Sequence, residues 1–220
     1  MASVSEEIRT IMCFGDSNTH GTCAMHHMQD KRRFAVPQRW PGVMAAELGE
    51  GWRIVEEGHP GRTTVHDDAI EGEHKNGLRI LPALLETHRP IDLVIIMLGT
   101  NDFKARFNVS AADVALAVQR LLVTIERAEC GPNKMAPQVL LLSPPPLSEI
   151  GFLSDMYAGG AVKSQALAGH LGQLAEDRQI AFLDAGLVAA IDPLDGIHLG
   201  MEAHEKLRKA VAEAVRSIFE

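Results

Sequence analysis

The sequence predicts an α/β fold, with a parallel sheet covered on both faces by helices. Short apolar runs alternate with amphipathic stretches along the 220-residue chain, the order that successive βαβ units impose. The run Ile91 to Leu98 (Ile-Asp-Leu-Val-Ile-Ile-Met-Leu) is almost continuously apolar, as a central strand buried on both faces must be. Four of the apolar runs stop at Gly15, Gly58, Gly99 and Pro144, where a strand would turn into a loop.

Taken in chain order, Arg9 to Phe14 reads as the first strand. Pro41 to Leu48 reads as a short helix; a proline fits its first turn, where the N–H has no intrahelical partner. Arg53 to Val55 begins a second strand that stops near Gly58. Leu78 to Thr87 is helical, and Ile91 to Leu98 is the third strand. The next helix has Ser110 as its cap and Asp113 at the third helical position. Val114, Val118, Leu121, Leu122 and Ile125 then recur at helical spacing and make one apolar face. Gly131-Pro132 lies beyond its end. Val139 to Leu142 is the fourth strand, closed by Pro144-Pro145-Pro146. Val162 to Arg178 is helical, with Leu167, Leu171 and Leu174 on one stripe. Ile180 to Leu183 is a short fifth strand, and the last helix carries Leu207, Val211, Val215 and Ile218. With no internal repeat, low-complexity stretch or linker, residues 1–220 are expected to form a single domain. Two segments, Thr22 to Gln38 and Ser143 to Gly160, are long and unpatterned, a feature often tied to function.

Composition narrows the function classes. Lys and Arg number 21 against 29 Asp and Glu, for a net charge of −8. An acidic chain is a poor partner for nucleic acid or an anionic membrane face. The run Lys31-Arg32-Arg33 reads as a solvated loop. No apolar run approaches the ~18–20 residues of a membrane span. Three cysteines (Cys13, Cys23 and Cys130) lack metal-ligand spacing and suggest free thiols in a reducing compartment. The first residues lack the basic and apolar regions of a secretory signal, so a cytoplasmic protein is expected. The histidines His26, His27, His59, His66 and His74 read as loop residues. None has the spacing of a helical zinc motif, and no metal is expected.

Ligands of open parallel sheets bind beyond the carboxyl ends of the strands, so the residues there matter most. Gly15-Asp16-Ser17-Asn18 follows the first strand. Gly58-His59-Pro60-Gly61-Arg62-Thr63-Thr64 follows the second and Gly99-Thr100-Asn101-Asp102 the third. Asp195-Gly196-Ile197-His198 precedes the last helix. Together they supply a hydroxyl, an imidazole, a carboxylate, an amide and two glycine-rich turns, the parts of an acyl-transfer site.

These four blocks, in this order, resemble the SGNH (GDSL-type) hydrolase superfamily. Cys13-Phe14-Gly15-Asp16-Ser17, Arg62-Thr63-Thr64, the run Asp92 to Asp102 and Ser143-Pro144-Pro145-Pro146 resemble its small bacterial arylesterase/acyltransferase branch. The resemblance spans nearly the whole chain. It implies a three-layer α/β/α domain with a five-stranded sheet in the flavodoxin-like order 2-1-3-4-5. It also implies a serine esterase for small-molecule esters, without cofactor or metal, that forms homo-oligomers.

In that scheme Ser17 is the nucleophile, His198 the general base and Asp195 the carboxylate that orients the imidazole. The oxyanion donors are the N–H groups of Ser17 and Gly61 and the side-chain amide of Asn101. Asp16 and Asp102 read as turn- and loop-holding residues; Asp184 and Asp192 are alternative carboxylates. Arg62 either packs over the second block or meets substrate. Phe152, Leu153, Met156 and Tyr157 either line an acyl or alcohol pocket or form a small core of their own loop.

Asn18 stands where many family members carry leucine, and the loop after it lacks the tryptophans of the arylesterase branch. Both changes make the entrance more polar, with Asn18 as a substrate contact, and leave acetylated sugars open as substrates beside aryl esters. A nucleotide- or phosphate-binding module is the rival of another class. Against it, the turn Gly15 to Gly21 is neither a Walker loop nor Gly-x-Gly-x-x-Gly, and Asp16 would repel phosphate.

Overall fold

The computed structural model describes residues 8–220. Five strands, β1 (Arg9–Gly15), β2 (Trp52–Gly58), β3 (Leu93–Met97), β4 (Gln138–Ser143) and β5 (Ala181–Asp184), pair in parallel in the order β2-β1-β3-β4-β5. The helices are α1 (Ser17–His20), α2 (Trp40–Leu48), α3 (Gly77–His88), α4 (Ala111–Arg127), α5 (Gly160–Arg178) and α6 (Met201–Phe219).

Side chains alternate across a strand, and that alternation divides the core in two. Met12 and Phe14 of β1, Val94 and Ile96 of β3 and Leu141 of β4 face one way. They meet Leu81 and Leu85 of α3, Val114 and Val118 of α4, and Leu167 and Leu171 of α5. Ile11, Cys13, Leu93, Ile95, Leu140 and Leu142 face the other way, against Trp40 and Met44 of α2 and Leu207, Val211 and Val215 of α6. All five residues of β3 are buried, which explains its unbroken apolar run. Each fully buried Leu or Ile contributes ~1.5–3 kcal/mol relative to exposure.

The structure differs from the sequence reading mainly at element ends. The second strand begins at Trp52 and runs to Gly58; only Val55 in it is buried, Arg53 is exposed and the rest are partly covered. The third lacks Ile91, Asp92 and Leu98; the Asp92 carboxylate instead accepts the Thr10 N–H at 2.7 Å. The four-residue α1 and a 3-10 stretch over Gly151–Tyr157 are not legible in the sequence, because such short turns carry no periodicity.

Register sets the site. Gly15 pairs with Gly58 on one side and Met97 on the other, and Met97 pairs with Leu142. The loops after β1, β2, β3 and β4 therefore leave the sheet from one edge. Gly58 lets α1 approach β2: a Cβ there would lie 2.2 Å from the His20 nitrogen.

Candidate active site

A cavity of about 210 Å³ opens at this edge, and Ser17, Gly61, Asn101 and His198 all line it. Ser17 is the first residue of α1, so its N–H has no intrahelical acceptor. Asp16 caps that helix: its Oδ1 accepts the Asn18 N–H at 2.9 Å. Its other oxygen faces Asn101, whose Nδ2 donates to it at 3.3 Å. Burial pushes the Asp16 carboxyl up to about 6, against the Asn18 N–H and the nearby His198 and Arg62, which lower it.

The His198 ring is set from one side. Its Nδ1 lies 2.6 Å from Asp195 Oδ2, which makes Nδ1 the protonated donor and turns Nε2 toward other partners. Asp195 Oδ1 accepts the N–H groups of Ile197 and His198, each at 3.0 Å. Asp195 Oδ2 also takes the Met25 N–H, at 2.8 Å, from the loop after α1. Burial would raise this carboxyl; the His198 ring and these backbone donors outweigh it and hold the group at about 2. Asp184 and Asp192, the alternative carboxylates, instead accept the N–H groups of Gly186 and Leu194 in local turns.

Asn101 lies on a 3-10 turn, Thr100–Phe103, entered through Gly99 at φ +128°. Tyr157 Oη donates to Asn101 Oδ1 at 3.0 Å. With Oδ1 held by Tyr157 and one proton of Nδ2 given to Asp16, the second amide proton remains for another acceptor. Asp102, beside it, takes the Thr64 N–H at 3.0 Å, the Thr64 hydroxyl at 2.5 Å and His66 Nδ1 at 2.9 Å. It ties the loop after β3 to the loop after β2. Gly61, at φ +78°, packs under Glu71: a Cβ would fall 2.6 Å from Glu71 Oε2.

Several expected placements change. Asn18 is buried and does not line the cavity. Its Nδ2 donates to the Ile197 carbonyl at 3.0 Å and its Oδ1 accepts the Leu199 N–H at 2.9 Å, so it grips the chain on both sides of His198. Phe152 is 39% exposed and also lies outside the cavity, whereas Leu153, Met156 and Tyr157 line it. Arg62 is buried; it donates to the Gly15 carbonyl at 2.8 Å and stacks 4.3 Å over Phe14. That settles it as a packing residue at the ends of β1 and β2. His66 and His59 are not solvated loop residues: His66 is bonded to Asp102, and His59 Nε2 lies 3.3 Å from Lys75 Nζ.

Sequence reasoning misses Met25, Glu71, Lys75 and Lys104, and reads Lys31 and Arg32 as bystanders; all six line the cavity. The unpatterned Thr22 to Gln38 stretch is the one signal pointing toward three of them. Among the described residues, no three His, Cys, Asp or Glu side chains are arranged to hold a metal ion, and no helix is long and apolar enough to cross a membrane.

Comparison with known proteins agrees with this fold. A model of the GDSL-like lipase/acylhydrolase family matches residues 13–206. The structure of the native aryl esterase of M. smegmatis is similar at 40% identity and TM-score 0.90, covering 95% of this chain and 99% of that one. Est24, a carbohydrate acetylesterase from Sinorhizobium meliloti, is similar at 38% identity and TM-score 0.91, covering 96% and 99%. A carbohydrate acetylesterase family member from the same organism is similar at 36% identity and TM-score 0.88, covering 96% and 98%. No curated protein sequence matches.

Proposed function

Since the chain belongs to the GDSL-like lipase/acylhydrolase (SGNH) family and is a carboxylic ester hydrolase, we propose that it hydrolyses short-chain acyl esters, acetyl or aryl, through a Ser17–His198–Asp195 triad. The observation that carries this reading is the 2.6 Å His198–Asp195 bond in a loop that lines the same cavity as Ser17, Gly61 and Asn101.

Ser17 Oγ attacks the ester carbonyl carbon while His198 Nε2 takes its proton. Asp195 holds the other ring nitrogen and stabilises the imidazolium. The carbonyl oxygen becomes an oxyanion that accepts from the N–H groups of Ser17 and Gly61 and from Asn101 Nδ2. On collapse, His198 returns the proton to the departing alkoxide and the acyl group stays on Ser17. Water then attacks, His198 takes its proton, and the second collapse frees the acid and restores Ser17. An alcohol in place of water gives acyl transfer. In the same reading the 220 residues act as one domain, in the cytoplasm, as a homo-oligomer.

A carbohydrate O-acetyl ester is the second reading. It is favoured by the polar half of the cavity, with His20, Thr22 and Lys31 on its lining, and by the similarity to the S. meliloti acetylesterases. Turnover of p-nitrophenyl esters from acetate to octanoate tests the mechanism. Wild type should be fastest on acetate, and Ser17→Ala should lose at least ~10³-fold in kcat. A Ser17→Ala enzyme that keeps its rate would end the serine mechanism. Acetate release from acetylated sugars, compared with p-nitrophenyl acetate, separates the two substrate readings.

A further inference from the structure

The cavity has two kinds of wall. Leu153, Met156 and Ile197 make one side apolar. The loops after α1 and β2 contribute cations: Lys31, Arg32 and Lys75, joined by Lys104 from the loop after β3. Most of that charge is cancelled on the spot. Arg32 pairs with Asp30 at 2.6 Å. Lys104 and Arg106 share Asp68 and Glu71, two cations for two carboxylates.

Lys31 and Lys75 are left over, with no carboxylate of the described residues in ion-pair contact. Lys75 is half-buried; its Nζ donates to the Pro60 carbonyl at 2.8 Å and lies 3.3 Å from His59 Nε2, both neutral partners. Its stem packs beside Gly61, where a Cβ would lie 3.3 Å from Lys75 Cε. Burial lowers the Lys75 ammonium, Lys104 and Lys31 push the same way, and Glu71 and Asp68 oppose them. His59 is held near 4 by burial and by Lys75, so it is neutral at pH 7 and adds no charge of its own. Around this wall five cations (Lys31, Arg32, Lys75, Lys104 and Arg106) stand against three carboxylates (Asp30, Asp68 and Glu71), an excess of two that runs against the chain's net charge of −8. Lys31 is exposed and reaches the cavity from its solvent side, whereas Lys75 is partly desolvated without a carboxylate partner, a cost that an arriving anion offsets.

We propose that the ester this site takes carries a carboxylate on its alcohol portion, received by Lys75 and Lys31. The inference rests on the short-acyl esterase reading: an acetyl-sized acyl group leaves the alcohol as the part that reaches the cations. A carboxylate oxygen there replaces the missing partner with a charge-assisted hydrogen bond.

The test compares 4-acetoxybenzoate with its methyl ester, which differ in charge at one end of the same ring. The readout is kcat/KM for release of the phenol, each divided by the ester's own hydroxide-catalysed rate. At ~0.01 M salt the carboxylate ester should be favoured about tenfold, and the preference should shrink at ~0.5 M salt as the charges are screened. Lys75→Met and Lys31→Met should each lower the ratio severalfold, and the double variant should bring it to one or below. A wild-type ratio at or below one, or a ratio unmoved in the double variant, overturns the proposal. So does a wild type that turns over p-nitrophenyl acetate but not 4-acetoxybenzoate. Hydrolysis of none of the three would instead bring down the esterase reading, and this inference with it.

Discussion

Asp16 serves two neighbours with one carboxylate. It caps α1 and orients Asn101, yet it is fully buried and its acid form is favoured up to about pH 6. The unfolded carboxyl has its ordinary value near 3.8. Between these values the folded state binds a proton that the unfolded state does not, so the contribution of Asp16 to stability falls as pH rises through that window. Above pH 6 the buried charge costs ~3 kcal/mol. The melting temperature of Asp16→Asn minus that of wild type should therefore climb from pH 4 to pH 7, and a flat difference would refute the raised carboxyl. Residues of this kind divide by what the sequence can reveal. Ser17, Asp195 and His198 are legible because each belongs to a block of neighbours with its own spacing. Asn18 reads as a substrate contact because nothing local says that its partners lie about 180 positions away, at Ile197 and Leu199. Tyr157 stands between pocket and loop core in the sequence; its bond to Asn101 depends on a fold no motif describes.

Elements behave as their periodicity demands. The helix α4 begins where its cap requires: Ser110 accepts the Asp113 N–H at 3.1 Å, and the Asp113 carboxylate accepts the Ser110 N–H at 2.9 Å. Eight residues of α4 are buried, among them the whole predicted apolar face. Ser110→Ala should cost ~1 kcal/mol of stability and leave kcat unchanged, because the cap is on the exposed surface; urea denaturation read against esterase rate checks both. The inner strands β1, β3 and β4 are legible from their apolar runs, since burial on both faces leaves the sequence no choice. Their ends are not, because where pairing stops depends on the partner strand. The helix α1 and the 3-10 stretch over Gly151–Tyr157 are set by caps and turns, which leave no repeating pattern.

At the scale of the molecule, the sheet supplies an edge and the loops must be locked to it. The lock between the loops after β2 and β3 is ionic as well as hydrogen-bonded. Lys104, with a side chain 2% exposed, meets Glu71 at 2.5 Å and Asp68 at 3.5 Å, while Arg106 meets Asp68 at 2.7 Å. Removing one member of a buried set leaves the rest with uncompensated charge. Lys104→Met should lower stability by ~3 kcal/mol, measurable as a lower urea midpoint; no loss would mean that Arg106 alone satisfies both carboxylates. Charge balance at this scale is half visible in the sequence. The total of −8 is plain; the two unpaired ammonium groups at the cavity are not, because pairing is a property of space.

The backbone N–H of Met25 and the amide of Asn18 both hold the segment that bears Asp195 and His198. Two clasps, at Asn18 and Met25, thus close on a segment 170 to 181 positions further along the chain, beyond all five strands. On the proposed mechanism, a chain that has not reached that segment has Ser17 and the oxyanion donors but nothing to take the serine proton. Ester turnover is therefore a late signal in refolding: it should return only when these two distant segments have met, after the sheet between them has formed.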